Sequence, residues 1–186
     1  MISRRARVAA APVIAVLGLS GWANGVPAQT LVRHRIPAML AMEAVETAVA
    51  SCTQQGYDVT ATVIDIDAQR IAMLRGDTAG VHTFEASWGK AYTAVGFAPI
   101  FKLDSGGEVA ERVAQQYSAT KLGGSGVLPF QPPEGMIFRA GGLTIKLGDE
   151  VIGAIGVGGA PTAQPARGQG STKYATVFAD VRTRLY

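Results

Sequence analysis

One cysteine and two histidines among 186 residues leave little for metal chemistry. Because Cys52 is alone, no intrachain disulfide can form and sites built on several thiolates are excluded. His34 and His82 are too few for a histidine-rich zinc site. Several catalytic signatures are also missing. Gly123-Gly-Ser-Gly126 is not followed by the Lys-Ser/Thr of a P-loop, and no dinucleotide fingerprint opens a helix after a strand. Ser125 lacks the flanks of a nucleophile elbow, which argues against serine hydrolysis. No internal repeat is present.

The N-terminus reads as a cleavable leader. Ser3, Arg4, Arg5 and Arg7 form a basic start, Val8 to Leu19 is apolar apart from Pro12 and Gly18, and Val26-Pro27-Ala28 supplies small residues before Gln29. The apolar stretch is short of the ~20 residues a spanning helix needs, so a secretory signal peptide over residues 1–28 is expected rather than a membrane anchor. This places the protein in the periplasm or outside the cell. Arg4-Arg5 leaves both the general and the twin-arginine export routes open. Three of the 17 basic residues lie in this leader, which leaves 14 against 14 acidic residues. A near-neutral mature chain offers no electrostatic case for nucleic acid or an anionic membrane. The rest, residues 29–186, suits one domain.

Helices are expected over Ile36–Gln55, Thr83–Phe97, Gly107–Tyr117 and Tyr174–Leu185, from apolar periodicity. Hairpins are expected from Val59–Asp65 with Arg70–Leu74, and from Leu143–Leu147 with Val151–Val157 around Gly148-Asp149-Glu150. Hairpins rather than repeated strand–helix–strand units make this an α+β domain with an antiparallel sheet covered by helices. On the second helix Thr83 is the expected N-cap. Phe84, Trp88, Ala91 and Val95 form the expected core face, and Ala86, Lys90, Thr93 and Phe97 a second face suited to a pocket or a subunit contact.

Glycines at 153, 156, 158 and 159 strip one side of the last strand of bulk, so something approaches it closely: a helix, a subunit or a ligand. Asp65 and Asp67 share a strand face and hold a hard cation, do acid/base work or satisfy a turn. His82 is either an exposed loop histidine or an iron ligand or acid/base group.

Together, Gly76-Asp-Thr-Ala-Gly80, Trp88-Gly-Lys-Ala-Tyr-Thr-Ala94 and the hairpin Gly141 to Ala160 resemble the GlcG/HbpS-like family of haem-binding and haem-degrading proteins. This family is also related to the C-terminal module of PduO-type corrinoid proteins. The resemblance implies a profilin-like domain with a central five-stranded antiparallel sheet, assembly into dimers up to octamers, and binding of haem or a cobalamin-type tetrapyrrole. It carries over Lys90 and Thr93 and, with the residues read above, gives His82, Lys90, Thr93, Phe97, Gly141, Gly142, Gly156 and Gly158 as the candidate cofactor set; His82, Asp65 and Asp67 remain the metal candidates from their own positions. In this picture Lys90 pairs with a propionate and Thr93 lines the metal side. The chain departs from the family pattern at Gly89, where an acidic residue is common, and at Gly158, where serine is. The implied function is an exported tetrapyrrole-binding protein with a haem-degrading or haem-sensing role. The alternatives are a small enzyme or accessory of organic acid or alcohol metabolism, and a ligand-free structural oligomer.

Overall fold

The computed structural model describes residues 31–119 and 132–160. The leader, Gly123 to Gly126 and the expected Tyr174–Leu185 helix lie outside the described residues. The described part is helix α1 (Ala38–Gln54), strands β1 (Thr60–Asp65) and β2 (Arg70–Arg75), helices α2 (Thr83–Phe101) and α3 (Gly106–Ala119), and strands β3 (Gly142–Leu147) and β4 (Glu150–Gly158). The strands form one antiparallel sheet in the order β2-β1-β4-β3. The five-stranded sheet implied by resemblance is therefore corrected to four strands among the described residues. The glycine- and proline-rich residues 132–141 that precede β3 run as turns and bends, with Met136 N–H bonded back to Pro133 O (3.1 Å) rather than to a strand.

Period-2 alternation in β1 sorts its side chains onto two covered faces. Ala61 and Val63 join Ile155 and Val157 of β4 beneath Ala44, Val45, Ala48, Val49 and Cys52 of α1. On the opposite face Ile64 and Ala154 meet Ala91, Ala94 and Val95 of α2. Every β1 residue is buried, which explains why its sequence alternates polar and apolar residues only weakly.

Local chemistry sets the helix ends. The α1 terminus is a Schellman motif: Gly56 (φ 80°) lets Tyr57 N–H reach Cys52 O (3.0 Å) and Gly56 N–H reach Thr53 O (2.9 Å). Ser105 and Glu108 make a capping box at α3, Glu108 N–H donating to Ser105 Oγ (3.2 Å) and Ser105 N–H to Glu108 Oε2 (3.0 Å). Helix α2 outruns its expected end at Phe97. Pro99 falls in its last turn, and Lys102 in the left-handed region (φ 56°) closes it, with Leu103 N–H on Ala98 O (2.8 Å). At its start His82, not Thr83, holds the N-cap position, and Thr83 Oγ1 donates to Gly80 O (2.6 Å). No described helix is long and apolar enough to cross a membrane.

Candidate functional site

The close partner of the glycine-rich strand is α2. A methyl added at Gly156 would fall on Ser87 O and stand 2.7 Å from Ala91 N; one at Gly158 would stand 2.9 Å from Thr83 O. The part of β4 bared by Gly156 and Gly158 is thus filled by helix backbone, whereas a methyl at Gly153 would meet Ile64 O and Ile36 Cδ1 and one at Gly159 would stand 2.6 Å from Asp58 O, so the four glycines do not share one partner. Beside these glycines β1 turns Thr60 and Thr62 toward the same helix. Thr83 Oγ1 spends its proton on Gly80 O and Ser87 Oγ spends its own on Phe84 O (2.9 Å). Thr60 therefore donates to Thr83 (2.7 Å), and Thr62 to Ser87 (2.6 Å). All four hydroxyl groups are buried and satisfied. The signal for this ladder was the match of an i, i+4 pair on α2 to an i, i+2 pair on β1 at the positions opposite Gly158 and Gly156.

The two expected faces of α2 are redrawn by what covers them. Phe84 is 42% exposed and lies outside the core, whereas Trp88 is half-buried and packs against the cluster of Ile64, Ala91 and Ala154. Arg70 lies over both rings, 5.7 Å from the centroid of Phe84 and 4.9 Å from that of Trp88. Ala91 and Val95 do enter the core. On the second face Lys90 is 7% exposed and Thr93 fully buried. Phe97 is half-buried in an aromatic cluster with Phe101 and Phe138, its ring 5.3 Å from Phe138 and edge-on.

Lys90 extends to the end of the sheet. Val157 N–H donates to Gly141 O (2.8 Å), but among the described residues Gly141, at φ 111°, does not return the bond expected of an antiparallel pair. The Val157 carbonyl accepts from Lys90 Nζ instead, at 2.9 Å. Gly141 and Gly142 make room for this: a methyl at Gly141 would stand 3.1 Å from Lys90 Nζ, and one at Gly142 would strike Lys90 O. No carboxylate pairs with Lys90 among the described residues. Burial holds its ammonium below the usual lysine range, and the nearby Arg139 guanidinium lowers it further. Arg139, which sequence reasoning missed, is exposed and adds a second positive group.

Residues 133–139 cross α2 as a strap. Thr93 Oγ1 donates to Gly89 O (2.9 Å) and accepts from Ile137 N–H (2.9 Å). A methyl at Gly89 would stand 2.5 Å from Gly135 O and 2.8 Å from Ile137 Cγ1. Glycine at 89, the departure from the family pattern, is what lets the strap lie this close.

The metal candidates do not converge. His82 is exposed at the start of α2, next to Thr83 and hence to the Thr60 end of β1. Asp65 is five residues further along the strand, roughly 16 Å at ~3.3 Å per residue. Asp65 Oδ1 accepts from Asp67 N–H (2.9 Å) and Gln69 N–H (2.8 Å), and its Oδ2 meets Arg35 (3.5 Å). Asp67 pairs with Arg33 (3.2 Å). These carboxylates fasten a turn and the segment before α1, and no cluster of three metal-ligating side chains exists among the described residues.

A buried ammonium, bonded to a backbone carbonyl and with no carboxylate partner among the described residues, thus lies beside glycines on one side of a helix-covered sheet. The sequence pattern of the haem-degrading protein HbpS-like family matches residues 36–166, most of the chain. The chain belongs to the HbpS-like family. Among solved structures, HbpS matches this family member at 26% identity and a TM-score of 0.61, over 82% of this chain and 94% of that one. A double mutant of Streptomyces reticuli HbpS matches at 26% identity and TM-score 0.60, over 94% and 98% of the two chains. The PduOC:Heme complex shares the fold at 14% identity and TM-score 0.55, over 81% and 94%. Comparison with curated proteins gave no match.

Proposed function

We propose that the protein binds haem or a related tetrapyrrole carboxylate at the α2 face bearing Lys90 and Thr93. The observation that carries this reading is Lys90: a buried ammonium whose partner among the described residues is one backbone carbonyl, with Arg139 beside it and no carboxylate among those residues. A buried cation without a counter-ion is costly, and a propionate would supply the missing charge. Lys90 and Arg139 would hold the propionate, and the exposed His82 imidazole is the histidine that α2 itself offers. Haem, when bound, supplies iron redox chemistry; the chain's own part is to bind, orient and desolvate. Family membership supports this reading, as does the occurrence of the fold in a haem complex.

Titration with haemin should shift the Soret band, and Lys90→Met should weaken binding about tenfold or more, the scale of one charge-assisted hydrogen bond. Absence of any Soret change at protein concentrations well above micromolar would refute haem binding. Unchanged affinity in both Lys90→Met and Arg139→Gln would move the site elsewhere. Oxidative breakdown, with dioxygen as the oxidant and an added reductant supplying electrons to activate it, belongs to the same proposal and would register as Soret loss with release of chelatable iron. Export with cleavage after Ala28 is a further part, checked by the N-terminal mass of protein recovered from its host. Oligomer formation is a third, consistent with exposed Met39, Val81 and Ile100 and checked by light scattering.

A further inference from the structure

We infer that residues 135–141 form a gate over the Lys90/Thr93 face, latched by Ile137 and seated by Gly89; this rests on the ligand site proposed above. Thr93 Oγ1 is fully buried, with its proton on Gly89 O and a lone pair occupied by Ile137 N–H, so its hydroxyl cannot meet a ligand while the strap is down. Ile137 N–H also reaches Gly89 O (3.2 Å), so one amide fastens the strap to two acceptors on α2. Met136 and Arg139 spend their amides within the strap, on Pro133 O (3.1 Å) and Ile137 O (2.9 Å). Opening therefore detaches one amide from the helix and draws the Phe138 ring away from Phe97, 5.3 Å from it in the closed arrangement.

The ends are suited to hinging. Gly135 (φ 82°) and Gly141 (φ 111°) bound the segment in the backbone region that glycine adopts without strain. Gly135, Arg139 and Ala140 are exposed. By contrast, the sheet is held by a continuous β1–β4 ladder and by a β3–β4 ladder interrupted once, between Ile145 and Lys146. Lifting the strap would uncover the Thr93 hydroxyl and the Gly89 carbonyl, and would free the approach to Lys90 through Gly141, which now lies against its ammonium. Gly89 is thus a positioning residue: any side chain there would push against Gly135 O and Ile137 and loosen the latch.

The test combines stopped-flow haemin association with amide hydrogen exchange on the full chain, in wild type, Gly89→Ala and Ile137→Ala. The second variant removes the apolar anchor without creating a clash, so a folding failure of the first does not end the test. The gate predicts that wild-type association levels off as haemin rises and that both variants associate about tenfold faster. It also predicts that the residue-137 amide exchanges about tenfold faster in Gly89→Ala and in the haemin-bound wild type, while the Val63 amide is unchanged. Haemin binding by the variants alone would also support it. Haemin bound to wild type with the Ile137 amide still protected, or variants no faster than wild type, would overturn the gate and leave the binding site standing. No haemin binding by any of the three proteins would overturn both.

Discussion

Replacing Gly156 by alanine should be among the most damaging single-methyl changes in the described fold. The added carbon would fall on Ser87 O and stand 2.7 Å from Ala91 N and 3.1 Å from Ala91 Cβ. The first two are helix backbone, which cannot yield by a rotamer change, so α2 must be pushed off the sheet. Overpacking of this kind costs about 3 kcal/mol, and more where backbone has to move. Alanine returns roughly 0.4–1 kcal/mol by restricting the unfolded chain. The net loss is about 2–3 kcal/mol, which at an m-value of about 2 kcal/mol/M lowers the urea midpoint by about 1–1.5 M. Gly158→Ala meets Thr83 O at 2.9 Å, Ser87 N at 3.1 Å and Ala86 Cβ at 3.2 Å. It should lose about half as much or less. Gly148→Ala is the comparison without a clash: nothing lies near its missing side chain, and its cost, about 1 kcal/mol, arises from φ 60° alone. Urea unfolding of the three variants followed by circular dichroism gives the ranking. A Gly156→Ala protein as stable as wild type, or more stable than Gly158→Ala, would refute the account of β4 as a helix seat.

The remaining predictions concern hydroxyls, charge and ligand. Ser87→Ala should cost about 1–3 kcal/mol because it strands the buried Thr62 proton, whereas Thr62→Val should cost under about 1 kcal/mol because Ser87 keeps its bond to Phe84 O; urea midpoints compare them. Lys90 holds its proton less tightly folded than unfolded, so the native state binds fewer protons between its lowered value and 10.5, and stability rises with pH across that window. Urea midpoints at about pH 7 and about pH 10 should move in favour of wild type over Lys90→Met as pH rises; a flat difference would contradict the buried ammonium. Glu150 is held below the usual carboxylate range chiefly by its hydrogen bond with His34 Nδ1 (2.6 Å), so His34→Ala should raise its titration midpoint in an NMR pH series.

How much could be read beforehand differed by element. The hairpin of β3 and β4 was legible from Gly148-Asp-Glu between two β-branched runs, and α1 from its spaced apolar residues, because in both cases a local pattern dictates which side is covered. Helix α2 misled at Phe84 and Trp88. Ranking residues by apolarity favours the aromatic rings as core, yet the sheet beneath α2 is paved with Gly156, Gly158 and Ala154, where only small residues let the helix come close. Full burial therefore went to Ser87, Ala91 and Ala94, Trp88 packs at the margin of that cluster, and Phe84 was left exposed, with Arg70 over both rings.

The candidate site divides the same way. Lys90, Thr93 and the glycines around 141 could be named from sequence, since a lysine and a threonine three apart share a helix side and glycines mark close approach. Whether those groups are open or covered could not, because Ile137 lies 44 residues from the Thr93 hydroxyl it bonds. By itself, the sequence determined family, the order of elements over the described residues and the small side chains that set how closely layers can approach. Only the tertiary structure decided what fills the glycine-bared face, which carbonyl receives the Lys90 ammonium, and that a strap lies over Thr93. These are contacts between segments distant in the chain, and no local periodicity encodes them.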